Sequence, residues 1–402
     1  MTGLTMNAIT AAQDPLLDPW LAKAAHLSSV FAEDAARNDR EGGQPLAQVR
    51  LLKESGLLPA GIPKAYGGQG LPWATLLRIT RELAKADGSI GHLFGYHYSF
   101  IHALQIRAFP EQRREWLTQS AAGNWLWGNS VNTFSHSLFG RKEGDVWVLN
   151  GKRPFASGTH VADAIMIAWE DEITDQRFFA PIRAGREGVT ILGDWDGIGQ
   201  RQTGSGTVTF ADVRIHESEI LGNTAQDGKP IATLGAQQQQ SVLLNVFVGQ
   251  ALGALAEARS YTVGKSRPWM HANVERHIDD PWVKRTYGEL YIKVRAAELL
   301  ADVAAKALSD AWAKGDALTA QERGEAAIQI AAANANAGEV ALDVTSRIFE
   351  VMGARSATRA NNFDRWWRNV RTHTLHNPAE YKIRNVGHWY LTGEYPEWSL
   401  FQ

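Results

Sequence analysis

The chain of 402 residues contains no cysteine. Disulfide bonds, thiolate-ligated metals and a cysteine nucleophile are therefore excluded, and the absence fits a reducing compartment, so we expect a cytoplasmic protein. An excess of charge of one sign is also lacking, because 41 basic and 43 acidic residues leave a formal charge of −2. This balance argues against a nucleic-acid groove and against a polybasic membrane anchor.

Long hydrophobic runs are missing as well. Residues 1–19 show no basic stretch followed by an apolar run, so we expect a flexible tail there and no signal peptide. No run of about 18 uninterrupted apolar residues exists, and no transmembrane helix is expected. The most apolar window, 242–255, contains Asn245 and Gln250, and it is interpreted as a core helix of a soluble protein.

Tryptophan, in contrast, is abundant, with 15 residues. Aromatic side chains supply large apolar areas with a polar edge, and they often line pockets for flat ring systems. An aromatic-rich core explains the same count, and on composition alone it is the favoured interpretation.

Three zones follow one another along the chain. The first, 1–122, has helical periodicity, for example at Leu77, Ile79 and Leu83. The second, 123–230, has short β-prone runs separated by Gly, Asp and Asn, which predict a small β-barrel or β-sandwich domain. The third, 231–402, has long helical patterns, which predict a four-helix bundle. These patterns lie at 241–261, 280–312, 320–352 and 361–374.

Several short motifs, in a fixed order, together resemble the acyl-CoA dehydrogenase superfamily from about residue 20 onward. They are GIP at 61–63, YGG at 66–68, ELAKADGS at 82–89, LNGK at 149–152, ASG at 156–158 and TGSG at 203–206, with Gly199 and Arg201. The resemblance implies an α+β fold of the acyl-CoA dehydrogenase type, with a helical N-terminal domain, a central β-domain and a C-terminal four-helix bundle. It also implies a homotetramer, in which flavin lies between the β-domain and the bundle and is partly held by a neighbouring subunit.

The C-terminal motif distinguishes between branches of this superfamily. Dehydrogenases of the scaffold carry a glutamate that removes the α-proton of the substrate, and the matching position in this chain is Asn377, which cannot act as a base near neutral pH. Some dehydrogenases take the base from an earlier helix instead, yet no Asp or Glu occurs between Gly228 and Ala256. Proton abstraction beside a thioester therefore has no obvious base.

The run THTLHNP at 372–378 instead resembles the flavin-dependent monooxygenase branch, which includes dibenzothiophene monooxygenase and related sulfone-metabolism proteins. This resemblance implies a two-component monooxygenase of sulfur metabolism, in which a separate NAD(P)H-dependent flavin reductase supplies FMN as FMNH2. A C4a-hydroperoxyflavin would then oxygenate a small organosulfur substrate with O2. One alternative is an acyl-CoA dehydrogenase with FAD and a displaced catalytic base, and another is a non-catalytic flavin-binding protein.

The candidate catalytic residues are His376, His373 and Ser157. An imidazole titrates near neutral pH and can take or give a proton, and Pro378 favours a helix end that presents His376 at its tip. Ser157 matches the hydroxyl that the scaffold places next to flavin N5. Surface or capping histidines and a β-turn serine are the alternatives. No metal site is expected, because the two histidines have no carboxylate between them.

The resemblance also supplies binding residues, and for most of them a structural role is the alternative. For the cofactor it implies Asn129, Phe155, Ser157, Trp195, Ser205, Arg267 and Arg355. Arginines suit phosphate because they combine fixed charge with several donors, although an intersubunit salt bridge would account for them too. For the substrate pocket the resemblance implies His92 and Tyr96, whose i, i+4 spacing would equally suit a buried helix stripe.

Overall fold

The computed structural model describes residues 18–132 and 134–398. Most of the tail expected at 1–19 therefore lies outside the described residues. Within them the chain forms ten α-helices and seven β-strands, in the order helices, strands, helices. The α+β fold expected from the sequence is confirmed.

The first five helices precede the sheet. They are α1 (Asp18–Glu41), α2 (Leu46–Ser55), α3 (Trp73–Ala84), α4 (Gly88–Arg107) and α5 (Pro110–Gly123). Helix α4 begins where the carboxylate of Asp87 accepts a hydrogen bond of 2.8 Å from the backbone N–H of Ser89, a standard N-cap. It is buried on nearly all sides, so its sequence shows apolar residues all round instead of one amphipathic stripe.

The strands form one curled seven-stranded sheet. They are β1 (Trp127–Ser130), β2 (Leu138–Glu143), β3 (Val146–Arg153), β4 (Ala164–Asp171), β5 (Arg177–Arg183), β6 (Val189–Ile191) and β7 (Val208–His216). The order is β1-β4-β2-β3-β7-β6, and β5 pairs with β4. Inside this sheet the buried guanidinium of Arg153 contacts the carboxylate of Glu170 at 2.5 Å, so neither charge is left unpaired.

Five helices follow the sheet. They are α6 (Gly235–Lys265), α7 (Pro281–Ala313), α8 (Ala320–Met352), α9 (Asp364–Thr374) and α10 (Ala379–Thr392). Helix α6 is long and apolar enough to cross a membrane by length and composition, but 78% of its most apolar window is buried inside the protein. It is thus the core helix that the sequence predicts.

Helix α10 was not predicted from the sequence. The proline at 378 was expected to end a helix, and α9 does end four residues before it, at Thr374. The same proline stands at the N-cap of α10, because its fixed φ suits the entry to a helix as well as the exit from one. The turn between α9 and α10 therefore carries His376 between two helices.

Candidate active site

Three aromatic rings stack between α4 and α9. The His92 ring lies 4.3 Å from the Tyr96 ring and 4.7 Å from the His373 ring, centroid to centroid, and both pairs are stacked. His92 and Tyr96 share a face of α4 because they are four residues apart. The fold thereby brings His92 and His373 together from distant parts of the chain. It also places His92 next to Tyr96, the other residue expected at the substrate pocket.

Burial fixes the protonation state of this stack. It lowers the pKa of His92 to about 3, with a further decrease from the neighbouring His376, and lowers the pKa of His373 well below the ordinary value of 6.5. Both imidazoles are therefore neutral at pH 7. Both ring nitrogens of His92, the Tyr96 hydroxyl and Nδ1 of His373 are buried without a hydrogen-bond partner in the described protein. These atoms are available to a bound molecule.

His376 follows in the turn after α9, where its backbone N–H donates to the carbonyl oxygen of His373 at 3.0 Å. Its side chain keeps contact with solvent and lines a cavity of about 230 Å³. The surrounding protein atoms lower the pKa of His376, and the Lys382 ammonium lowers it further. The neutral imidazole is therefore favoured at this position as well.

Lys382, on α10, was missed in the sequence analysis. Its side chain lines the same cavity as His376, yet only 8% of the residue is exposed. Desolvation lowers the pKa of Lys382, while the nearby Glu380 raises it to a smaller extent. The position of a lysine shortly after the THTLHNP run is the one signal in the sequence that points to it.

A chain of hydroxyl groups runs through the turns that hold Ser157. The Oγ atoms of Ser157 and Ser205 are 2.7 Å apart, and Oγ of Ser205 is 2.6 Å from Oγ1 of Thr203. Thr203 donates in turn to the carbonyl oxygen of Gln200 at 2.9 Å. Two of the expected residues, Ser157 and Ser205, thus lie side by side and can pass a hydrogen bond to a group placed against them.

Phe155 and Trp195 form an aromatic wall beside these hydroxyls. Their ring centroids are 6.2 Å apart in an edge-to-face arrangement, and the indole N–H of Trp195 donates to Gln200 at 2.9 Å. Phe155 has a φ of 57°, which is strained for a non-glycine residue, and its side chain is 60% exposed. Strain of this kind concentrates at binding sites, where it holds a side chain outward.

Asn129 lies at the end of β1, next to the Ser157 turn. Its backbone N–H donates to the carbonyl oxygen of Ser157 at 2.9 Å, and its side chain accepts from the N–H of Val131 at 3.0 Å. The turn also packs on α4, because a Cβ atom at Gly158 would meet Leu93 at 2.9 Å. The hydroxyl turn and the histidine stack are therefore attached to the same helix.

Helix α9 is held in place by an amide cluster that the sequence analysis did not find. The side-chain oxygen of Asn369 accepts from the backbone N–H of Gln200 at 2.7 Å, and its amide donates to Gln250 at 3.3 Å. The backbone comes so close that a Cβ atom at Gly199 would lie 2.2 Å from the carbonyl oxygen of Arg368. These contacts fix α9, and with it His373, against both the segment between β6 and β7 and helix α6.

The two expected phosphate residues, Arg267 and Arg355, are both exposed and lie beyond the C-terminal end of α6. Arg355 donates to the carbonyl oxygen of Lys265 at 2.7 Å. The cavity at His376 includes Gln240, near the other end of α6, and 25 residues of helix separate Gln240 from Lys265, or roughly 37 Å. The structure therefore does not bring these arginines to the histidines of the same chain.

The comparisons with known proteins cover nearly the whole chain. The family models "Acyl-CoA dehydrogenase, N-terminal domain" and "Acyl-CoA dehydrogenase, C-terminal domain" match residues 24–124 and 242–380. The probable FMNH2-dependent monooxygenase SfnC of Pseudomonas putida is 40% identical over 95% of this chain and 97% of its own length.

Two solved structures are similar in shape. The methanesulfinate monooxygenase MsuC of Pseudomonas fluorescens has a TM-score of 0.92 at 39% identity, over 95% of this chain and 99% of its own. The dibenzothiophene monooxygenase TdsC of Paenibacillus sp. A11-2, solved with FMN and indole, has a TM-score of 0.91 at 35% identity, over 96% of this chain and all of its own.

Proposed function

The chain belongs to the acyl-CoA dehydrogenase superfamily, in its flavin-dependent monooxygenase branch, and on that premise we propose that it uses reduced FMN and O2 to oxygenate an organosulfur compound. It is a flavin-dependent monooxygenase, and its cofactor is FMN. Relatives of this kind act on methanesulfinate and dibenzothiophene by name.

One observation carries the proposal: no carboxylate among the described residues stands where a dehydrogenase needs its base. The residue at the glutamate position, Asn377, lines the cavity with His376, and none of the described residues that line this cavity is acidic. The first acidic residue of α6 is Glu257, whose carboxylate is occupied by Arg365 at 2.7 Å and by the indole N–H of Trp366 at 2.6 Å. The FAD-dependent dehydrogenase alternative therefore lacks a carboxylate base among the described residues.

The residues present fit a flavin. The linked hydroxyls of Ser157 and Ser205 offer donors to a polar ring edge, and Phe155 and Trp195 offer an apolar wall to its face. Asn129 adds a polar side chain beside them. When bound, reduced FMN supplies the two electrons and two hydrogens with which one oxygen atom of O2 is transferred and the other leaves as water.

The chain's own groups handle the proton and exclude water. Burial keeps His92 and His373 neutral, so they orient a bound molecule by hydrogen bonds without adding charge. We assign proton transfer to His376, because it lies at the cavity wall with solvent contact and its imidazole, which its surroundings keep neutral, can accept a proton and pass it on. The stacked rings of α4 and α9 are themselves buried, so water is excluded from around them.

The finer features are proposed on the same basis. Use of FMNH2 implies a partner flavin reductase, and we propose that it uses NAD(P)H and that both proteins are cytoplasmic. We also propose a homotetramer, in which Arg267 and Arg355 reach the flavin phosphate of a neighbouring subunit. Two features support this proposal: both arginines lie far from the histidines of their own chain, and helix α7 exposes apolar residues. These are Trp282, Tyr291, Ile292, Leu299, Leu300 and Val303.

The test is turnover with reduced FMN and a set of sulfur compounds under oxygen-18 gas. The expected result is one labelled oxygen atom in the product, with no bleaching of the flavin by acyl-CoA thioesters. Reduction of bound flavin by an acyl-CoA in the absence of O2 would favour the dehydrogenase instead.

A further inference from the structure

The cavity at His376 has an unusual balance of charge. Within residues 18–132 and 134–398, its walls carry one ammonium group and one imidazole, together with neutral amides and apolar surfaces, and no carboxylate. The lining includes Gln237, Gln240, Asn377, Asn385, Tyr381 and Phe134. Amides and a phenol supply hydrogen-bond donors, which suit an acceptor with several oxygen atoms.

Lys382 is the charged group of this cavity, and it forms no direct ion pair with a described residue, although Glu380 acts on it at longer range. Its nearest acidic neighbour along the chain, Glu380, is exposed, does not line the cavity and makes no ion pair with it. A lysine with 8% exposure loses most of its hydration, and burial of an uncompensated ammonium is unfavourable. An anion bound in the cavity would restore the missing electrostatic partner.

We propose that this cavity binds the negatively charged head of a small organosulfur acid, an alkanesulfinate, with Lys382 as the residue that selects the anion. This proposal rests on the oxygenase function proposed above and specifies its substrate class. The sulfinate oxygens lie against the Lys382 ammonium and the amides of Gln237 and Gln240, and the short carbon chain lies against Ala327 and Ala331.

The chemistry of a sulfinate suits this arrangement. Its sulfur retains a lone pair that accepts one oxygen atom of O2, so that the sulfinate becomes a sulfonate. The second oxygen atom leaves as water with the two hydrogens of the reduced flavin, which ends oxidised. The negative charge is present before and after the step, so the ammonium can hold the head group throughout, whereas a neutral sulfone or thiophene gives it no partner.

The experiment measures binding to the FMN-loaded enzyme by calorimetry, with methanesulfinate and the neutral dimethyl sulfone as probes. We expect methanesulfinate to bind at least tenfold more tightly than dimethyl sulfone. Lys382→Met, which removes the charge and keeps the chain length, should abolish this preference, and Lys382→Arg should retain most of it. The matched control is Lys142→Met, at an exposed position of β2, which should change neither affinity.

Melting temperature verifies that each variant is folded, and Lys382→Met should be no less stable than the wild type because it removes a buried charge. Equal affinity for the two probes, or an unchanged preference in Lys382→Met, would overturn the proposal. So would a loss of FMN affinity relative to riboflavin in Lys382→Met, since the lysine would then serve the flavin phosphate. Turnover of dimethyl sulfone or dibenzothiophene without sulfinate selectivity would leave the oxygenase function standing and remove only this inference.

Discussion

At the scale of single residues, the stacked histidines and His376 differ in their access to solvent, and we propose different roles for them: orienting a ligand and exchanging a proton. His92 and His373 are buried and remain neutral, while His376 keeps solvent contact through the cavity. A residue that exchanges protons needs a path to solvent, whereas a residue that orients a ligand is better without one. We therefore propose that His376, and not His373, handles the proton.

His376→Ala should lower the rate of oxygenated product formation by about 10²-fold, the lower end of the range for general acid–base catalysis. Oxidation of reduced FMN should continue, with hydrogen peroxide in place of product. The ratio of product to peroxide, measured at saturating substrate, tests this. His26→Ala, at an exposed position of α1, is the control and should leave the ratio unchanged. If His376→Ala stays fully coupled, the assignment is wrong.

Arg267→Ala should weaken FMN binding by about 1.5–3 kcal/mol, the range for a hydrogen bond to a charged group. The expected cause is loss of a phosphate contact, so riboflavin, which has no phosphate, should bind the variant and the wild type equally. Fluorescence titration with both flavins measures the difference. Arg50→Ala, whose side chain pairs with Glu54 at an exposed position of α2, serves as the control. An unaltered FMN affinity would remove Arg267 from the site.

The resemblance in short motifs was enough to select, from the sequence, the residues that form the histidine stack, the hydroxyl turn and the aromatic wall. It did not predict how these residues are arranged. Lys382 and Asn369 could not be found in that way. A lysine and an asparagine are ordinary on a helix surface, and only the packing of α9 and α10 shows that these two are buried. Burial and partner choice depend on tertiary contacts that no local pattern encodes.

At the scale of elements, the position of α9 decides whether the histidines meet the rest of the site. Its amide anchor, Asn369, contacts Gln200 of the β-domain and Gln250 of α6, which come from distant parts of the chain. The ion pair between Arg368 and Asp39 of α1, at 2.6 Å, adds a third attachment. Helix α9 is thus tied to all three zones that the sequence predicts.

Asn369→Ala should lower the free energy of unfolding by about 2–4 kcal/mol, because it leaves buried hydrogen-bonding groups of Gln200 and Gln250 without their partner. Urea denaturation of the flavin-free protein measures the change. Gln321→Ala, at an exposed site on α8, should stay within about 0.5 kcal/mol of the wild type. A similarly small effect for Asn369→Ala would show that α9 is held by its other contacts.

Helix α10 illustrates where periodicity fails. The predictions for α6, α7 and α8 agree with the structure to within a few residues except at the start of α6, because these long helices bury a continuous face. Helix α10 buries only Lys382, and its apolar residues Tyr390 and Leu391 are exposed. Because α10 buries little surface within its own chain, its sequence has no clear stripe of apolar residues facing the core. Hydrophobic periodicity therefore does not predict this helix.

At the scale of the whole molecule, four buried histidines make stability depend on pH. Burial lowers the pKa of His92 and His102 to about 3 and of His97 to about 4, and it lowers that of His373 as well. The unfolded chain binds a proton at each near pH 6.5, so protons favour the unfolded state below that pH. Asp87 opposes this trend, because burial raises its pKa from 3.8 to about 6.

The four histidines together have a larger effect than Asp87. The free energy of unfolding should therefore rise between pH 4 and pH 6.5 and level off above pH 6.5. Each net proton contributes about 1.4 kcal/mol per pH unit. His102→Gln should reduce the slope of the free energy of unfolding against pH by the contribution of about one proton. This reduction is expected whether or not the substitution changes the stability at pH 7. Urea denaturation at several pH values measures the slope. A slope that His102→Gln leaves unchanged would mean that this histidine is already protonated in the native protein.

In the proposed tetramer, each flavin site is completed by Arg267 and Arg355 of a neighbouring subunit, so flavin binding should depend on assembly. The apolar stripe on α7 includes Ile292, Leu299 and Val303, each more than half exposed in the single chain. The double variant Ile292→Glu, Val303→Glu would place two carboxylates in the proposed interface, where water could not hydrate them. Light scattering should then show smaller species, and FMN affinity should fall with them, because Arg267 no longer reaches a neighbour's site. Gln321→Glu, at an exposed position of α8, should leave the mass and the affinity unchanged. Full FMN affinity in a dissociated double variant would place the phosphate contacts within one chain.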